Sequence, residues 1–167
     1  QVLPFTMDGD RDYRALLEHI KPFRVDAIIL TSAASSAVYE PSGTDIPVIL
    51  LEHKINGAPV HSVSSDTYAG GKVVADMLVE NGHRKIAFIS GNGTMTQDFG
   101  RDYGFVSRMH DHGLTVWRTE MASYARYASG CVATRRLMIG REYPDAIFCA
   151  DDVLAMSAID VLRDEFG

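Results

Sequence analysis

Asp151 and Asp152 stand side by side after an apolar run, Ala146-Ile147-Phe148-Cys149-Ala150. Paired carboxylates are a means to general acid–base catalysis or to holding a cation. Adjacent residues at a strand-to-helix turn point apart, however, so one carboxylate is expected to cap the following helix and the other to face the cleft. Asp66 also opens a helical segment, where a carboxylate accepts backbone N–H bonds as an N-cap. Arg101 offers a rigid fork of five donors, suited to vicinal hydroxyls or to a carboxylate. Gly91-Asn92-Gly93-Thr94-Met95-Thr96 follows a strand-like run and precedes a helix, as a dinucleotide fingerprint does. Thr96 stands where a third small residue belongs, and Glu120 lies beyond the usual spacing for the acidic partner, so the match is half complete. No Gly-x-Ser-x-Gly elbow is present, and Ser64 and Ser65 near His61 have no specified third group. His110 and His112 face different ways on a helix and have no Cys or Glu at zinc spacing, so solvated surface histidines are expected. No catalytic residue and no metal set is assigned on this reading.

The elements that must position these groups alternate between strand and helix. Expected strands are Val2–Phe5, Asp26–Leu30, Pro47–Leu51, Val60–Val63, Lys85–Ser90, Thr115–Met121 and Ala146–Ala150. Between them lie helical patterns. Asp8–Ile20 is capped by Asp8 or Asp10. Asp66–Asn81 carries an apolar stripe of Val73, Val74, Met77 and Leu78 and is stopped by Gly82. A helix beginning near Gly100 carries Phe105, Val106 and Met109, and Ser129–Ile139 follows. The last, Asp152–Phe166, turns Leu154, Ile159 and Leu162 inward. Such alternation predicts parallel sheets flanked by helices. Ligands of such sheets sit beyond the carboxyl ends of the strands, where Asp66, Arg101 and Asp151 fall.

The chain has 167 residues, 46% hydrophobic and 23% charged, within the range of a folded globular protein. Its net charge of −6 argues against gripping nucleic acid by itself. Cys131 and Cys149 are too few for a disulfide framework or a zinc site and sit among apolar residues, as reduced cytoplasmic thiols do; a single pairing between them stays open. No apolar run is long enough for a membrane span, and no signal peptide is evident. Without an initiator Met, and opening on a strand-like segment, the sequence reads as a fragment.

Four stretches in order carry a resemblance. They are Val63-Ser64-Ser65-Asp66 with Gly70-Gly71; Gly82-His83-Arg84-Lys85-Ile86 running on to Gly91; Arg101-Asp102-Tyr103-Gly104-Phe105; and Pro144-Asp145 through Asp151-Asp152 with Ala155. This set resembles the ligand-binding core of LacI/GalR-type transcriptional regulators. The resemblance implies an α/β, two-lobed, periplasmic-binding-protein-like fold with Rossmann-like lobes. It places residues 1–84 in a partial N-lobe and 85–167 in a partial C-lobe, with the chain crossing near His83.

The resemblance also implies that Asp66, Arg101 (in the Arg-x-x-Gly-Phe pattern) and Asp151 contact a small effector in the cleft between lobes. Asp151 replaces the family's usual Asn, which favours a hydroxyl-rich or cationic ligand over an anionic one. Tyr124 stands near the position of a stacking aromatic, Gln97 and Phe99 belong to a loop beside the cleft, and Phe5 ends the first strand, where core packing competes with walling the site. The implied partners are a sugar or nucleoside-like effector, a second copy of the chain, and operator DNA through a helix-turn-helix headpiece that this chain lacks; no cofactor and no membrane are implied. An exported sugar-binding protein of a transporter is the alternative, and a nucleotide-binding enzyme ranks below it.

Overall fold

A computed structural model describes residues 2–5, 13–31, 44–52, 60–91, 98–123 and 126–167. They group into two compact units, Gln1–Ser65 and Asp66–Gly167.

In the first unit, β1 (Ile28–Leu30), β2 (Val48–Leu51) and β3 (His61–Val63) form a parallel sheet in that order. Ile28 pairs with Val48, and Ile49 with His61. Leu17 and Ile20 of α1 (Tyr13–Ile20) pack against Ile28, Leu30, Val48 and Leu50, four residues of one sheet face. Side chains alternate across a strand, so Ile29 turns to the other face and is 63% exposed. The unbroken apolar run of β1 therefore does not mean burial on both faces here, contrary to expectation. Val2–Phe5 is not a strand. Instead Phe5 is partly exposed and meets the rings of His19 and Phe23 at 5.6 and 5.5 Å.

The second unit holds α2 (Thr67–Glu80), β4 (Ile86–Gly91), α3 (Asp98–Asp111), β5 (Arg118–Ala122), α4 (Tyr127–Leu137), β6 (Ala146–Cys149) and α5 (Asp152–Val161), which runs into a π-helical turn, Leu162–Phe166. The strands are parallel in the order β5-β4-β6. All six residues of β4 are buried, as a central parallel strand requires. Phe88 of β4, Phe105 of α3 and Phe148 of β6 gather their rings within 4.7–5.4 Å. Leu137 and Leu154 complete the core from α4 and α5.

The helices depart from expectation in their faces more than in their presence. α2 buries Gly71 and Ala75, with Val74 and Leu78 partly buried, while Val73 and Met77 of the expected stripe are exposed. The reason is that α2 lies on α3 with backbones touching. A Cβ on Gly71 would stand 2.1 Å from the Arg101 carbonyl oxygen, and one on Gly104 would stand 2.0 Å from that of Tyr68. A surface where backbones touch is marked by glycine, not by large apolar residues. This packing also groups α2 with the second unit, so the compact units divide at Ser65/Asp66. Val106 and Ile159 are likewise exposed instead of inward. α3 starts at Asp98, earlier than expected, and β5 starts at Arg118, later than expected. Gly82 ends α2 as expected, at φ +91°, with its N–H donating to the Val79 carbonyl.

Asp145 ties the start of β6 to the start of β4. Its carboxylate accepts from the backbone N–H groups of Arg84 and Lys85 at 2.9 and 3.0 Å. Partial burial pushes this carboxyl up, but those two donors and nearby His83 outweigh it and hold it below the usual aspartate range. A carboxyl depressed by folding stabilises the protein above its ordinary range, and that contribution is lost as pH falls through the depressed value. Asp145→Asn is therefore expected to lower stability at neutral pH and to flatten the acid limb of a stability–pH profile below about pH 4. Urea melts across the acid range would measure both effects, and an unchanged acid limb would count against the tie.

Candidate functional site

The carboxyl ends of β4 and β6 and the first turns of α2, α3 and α5 supply the candidate groups. Parallel strands joined by helices bring helix N-termini to the end where the strands finish, so backbone donors and capping side chains collect there. Asp66 caps α2, its Oδ1 accepting from the Ala69 N–H at 2.9 Å. Asp151 caps α5, its Oδ1 accepting from the Leu154 N–H at 2.7 Å. Of the adjacent pair, Asp151 is thus the capping residue, and Asp152 sits exposed in the first turn of α5. A cap of this kind contributes about 1 kcal/mol. Asp151→Ala is expected to destabilise the chain by that amount in a denaturant melt, and Asp151→Asn, which keeps an accepting oxygen, by much less.

Arg101 lies in the first turn of α3 and is half-buried. Its Nη1 donates to the Ala150 carbonyl at the end of β6. Next to it in sequence, Asp102 accepts from the hydroxyl of buried Ser90 on β4. These two bonds anchor the first turn of α3 to both strands and aim the guanidinium along the sheet end. An open cavity of about 450 Å³ is lined by Gly70, Val74, Arg101, Ala150, Asp151 and Asp152. It therefore brings together two of the expected residues, Arg101 and Asp151. Asp66 is on the same helix as Gly70 and Val74 but does not line this cavity.

Tyr124, Gln97, Thr94 and Thr96 lie outside the described residues, as do Asp8, Asp10 and most of the glycine-rich segment after Gly91. Phe99 falls in the first turn of α3. Phe5 belongs to the aromatic cluster of the first unit, which fits its packing role. Cys131 and Cys149 are unpaired thiols. Cys149 borders the cavity, but burial, with Asp151 nearby, pushes its thiol up to about 12, so it is a neutral packing group and not a nucleophile at pH 7. Among the described residues no three His, Cys, Asp or Glu side chains gather as a metal would need. No helix among them is long and apolar enough to cross a membrane.

Asp151 and Asp152 both line the cavity, where one of the pair was expected to face the site. One feature escaped the sequence reading. Asp76 of α2 accepts from both Arg108 and His112, each at 2.6 Å. His112 is therefore half-buried and bonded to a carboxylate, where a solvated surface histidine was expected. The signal available was the spacing of Arg108, in the last turn of α3, and His112, four residues on and just past the helix end.

Parallel strands joined by helices that pack on their faces define a fold of periplasmic-binding-protein type. Residues 2–165 match the family model described as periplasmic binding proteins and sugar binding domain of LacI family, and the chain belongs to that family. It is 26% identical over 150 residues to the probable HTH-type transcriptional repressor ExuR of Bacillus subtilis (strain 168), covering 87% of this chain and 45% of that protein. It is 31% identical over 128 residues to the HTH-type transcriptional repressor PurR of Actinobacillus pleuropneumoniae serotype 5b (strain L20), covering 74% of this chain and 37% of that one.

Among solved structures, the dimeric Lac repressor with an 11-residue C-terminal deletion superposes with a TM-score of 0.76 at 20% identity, over 95% of this chain and 59% of that one. An uncharacterized protein from Actinobacillus succinogenes matches with a TM-score of 0.74 at 30% identity, over 92% of this chain and 58% of that one. The chain spans about half the length of the curated relatives it matches.

Proposed function

We infer that this chain is the effector-binding and dimerisation core of a LacI-type transcriptional regulator. A small molecule, sugar or nucleoside-like, binds at the carboxyl ends of the strands. Arg101 donates to its hydroxyls, and Asp66 and Asp151 accept from them with the oxygen atoms turned away from their caps. Tyr124, Gln97, Phe99 and Phe5 are proposed as further contacts. No bond is made or broken. The protein is a binding module and not an enzyme, acting in the cytoplasm.

The observation that carries this reading is the half-buried Arg101 guanidinium beside the Asp151 cap, at the strand end of a fold whose curated relatives are named as repressors. Exposed Met156 and Ile159 on α5 offer an apolar face for a second copy. Effector binding acts on DNA only by its differential affinity for two states of that dimer, read out through a separate helix-turn-helix headpiece.

The test uses the native full-length protein and its own promoter DNA. Fluorescence anisotropy at fixed moderate salt is run with and without a panel of neutral, cationic and anionic sugars and nucleosides. The expected result is tight, specific DNA binding that one panel member strengthens or weakens, with none by the 167-residue chain alone. A full-length protein with an export signal and no DNA affinity would replace this reading with that of an exported binding protein.

A further inference from the structure

The open cavity at the end of β6 carries charge of both signs, and not in equal amount. Arg101 supplies one guanidinium, while Asp151 and Asp152 supply two carboxylates. Among the described residues no other charged side chain lines it. Val74, Phe148 and Ala155 are apolar, and the Cys149 thiol is neutral because burial pushes it up to about 12. One negative charge is therefore in excess.

The three charged groups are not equally committed. Arg101 donates to the Ala150 carbonyl, and Asp151 accepts from the Leu154 N–H at 2.7 Å. Asp151 is the last extended residue, at φ −143° and ψ 170°, and Asp152 is the first of α5. The chain turns between them, yet both line the cavity. Among the described residues Asp152 has no hydrogen-bond or ion-pair partner, and it is exposed.

A helix start attracts a carboxylate through its dipole, so an acid in a first turn has an ordinary use. Here each helix start already has one: Asp66 on α2, Asp102 near the start of α3 and Asp151 on α5. Asp152 is a second carboxylate on α5, beyond what its first turn requires. An anion entering the cavity would meet two like charges. A cationic nitrogen would neutralise the excess and form charge-assisted bonds, roughly twice as strong as those of a neutral hydroxyl.

We propose that Asp152 is a specificity-determining residue of this site, and that the effector carries a cationic nitrogen which Asp152 receives while Arg101 donates to its hydroxyls. Its role in regulation rests on the reading of this cavity as the effector site, and it narrows the class to a sugar or nucleoside-like molecule bearing a protonated amine. The charge preference belongs to the cavity and needs no effector to be measured.

The experiment is a set of NMR titrations of the whole chain with three small probes: ethanolamine, ethylene glycol and glycolate. The probes share a hydroxyl and differ in carrying an ammonium, a second hydroxyl or a carboxylate. The signals followed are the Ala150 and Ala155 N–H groups beside the cavity, with the Thr119 N–H of β5 as a bystander. In the wild type, ethanolamine is expected to shift Ala150 and Ala155 saturably and to leave Thr119 still. Its apparent affinity is expected to exceed that of the other two probes about tenfold. Added salt is expected to narrow that difference. In Asp152→Asn, which keeps the shape and removes the charge, the ethanolamine response is expected to fall to that of ethylene glycol. Asp152→Glu is expected to keep most of the response. Asp111→Asn, which removes a charge at the far end of α3, is expected to keep all of it.

If Asp152 serves only the start of α5, Asp152→Asn lowers the melting temperature and leaves the ethanolamine response intact, which overturns the proposal. A glycolate response as strong as that of ethanolamine overturns it too, as does no ethanolamine response at all. In the anisotropy test above, the active panel member is expected to be cationic, and a neutral or anionic one would also overturn it. If no panel member acts, the proposed function fails while the probe titrations still read the charge preference, so the two failures are distinguishable.

Discussion

Gly104→Ala is expected to destabilise the chain by about 3 kcal/mol or more, the upper end of what overpacking does. The added methyl carbon would stand 2.0 Å from the Tyr68 carbonyl oxygen and 2.9 Å from its carbon. Both belong to backbone, so no side chain can rotate away; the whole of α2 must lift off α3. For a chain of this size that corresponds to a fall of about 6–12 °C in melting temperature. Gly70→Ala is the matched control. Gly70 lies on the same helix with nothing within 4 Å of the added carbon. There the ordinary helix propensity of alanine applies, and the substitution is expected to be neutral or to stabilise by up to about 1 kcal/mol. Thermal melts of the two variants followed by circular dichroism decide it. Equal destabilisation by both would show that the seam is not in backbone contact.

Arg101→Ala is expected to abolish effector binding while the fold survives. The guanidinium is half-buried, and its bond to the Ala150 carbonyl is one of several ties between α3 and the sheet; Phe105 and Met109 remain fully buried on the same helix. Removing a charged donor from a ligand's hydroxyls forfeits about 1.5–3 kcal/mol for each bond, so two lost bonds weaken binding on the order of 10²-fold or more. Arg101→Lys keeps the charge but not the fork, and most of the loss is expected to persist. Calorimetric titration with the panel member that changes DNA affinity in the wild type measures both variants. Wild-type affinity in Arg101→Ala would remove Arg101 from the site and, with it, the central contact of the proposed function.

Much of the architecture was legible because it depends on local pattern. The runs Ile28–Leu30, Val48–Leu51, Ile86–Gly91 and Ala146–Cys149 are short and apolar, as strands of a parallel sheet are, and each is a strand. Asp66 and Gly82 act at helix ends through bonds to residues three positions away, so their spacing alone identified them. The order of Asp66, Arg101 and Asp151 after successive strands also placed them at one end of an α/β fold, because parallel connections return every helix start to that end.

What the sequence by itself determined, then, is the alternation of elements, the cap and stop of α2, and the family. The tertiary structure alone decided which face of each helix is inward. Val73 and Met77 of α2 and Val106 of α3 fit an apolar period but are exposed where α2 meets α3 closely at Gly71 and Gly104, and Ile159 of α5 is exposed as well. It alone decided which of Asp151 and Asp152 caps α5, and that Asp76, Arg108 and His112 meet. The cap is decided by the local turn, but the inward faces and the meeting of Asp76 with Arg108 and His112 depend on the distance and angle between elements remote in the chain, and a periodicity in one helix carries no information about the backbone it will lie against.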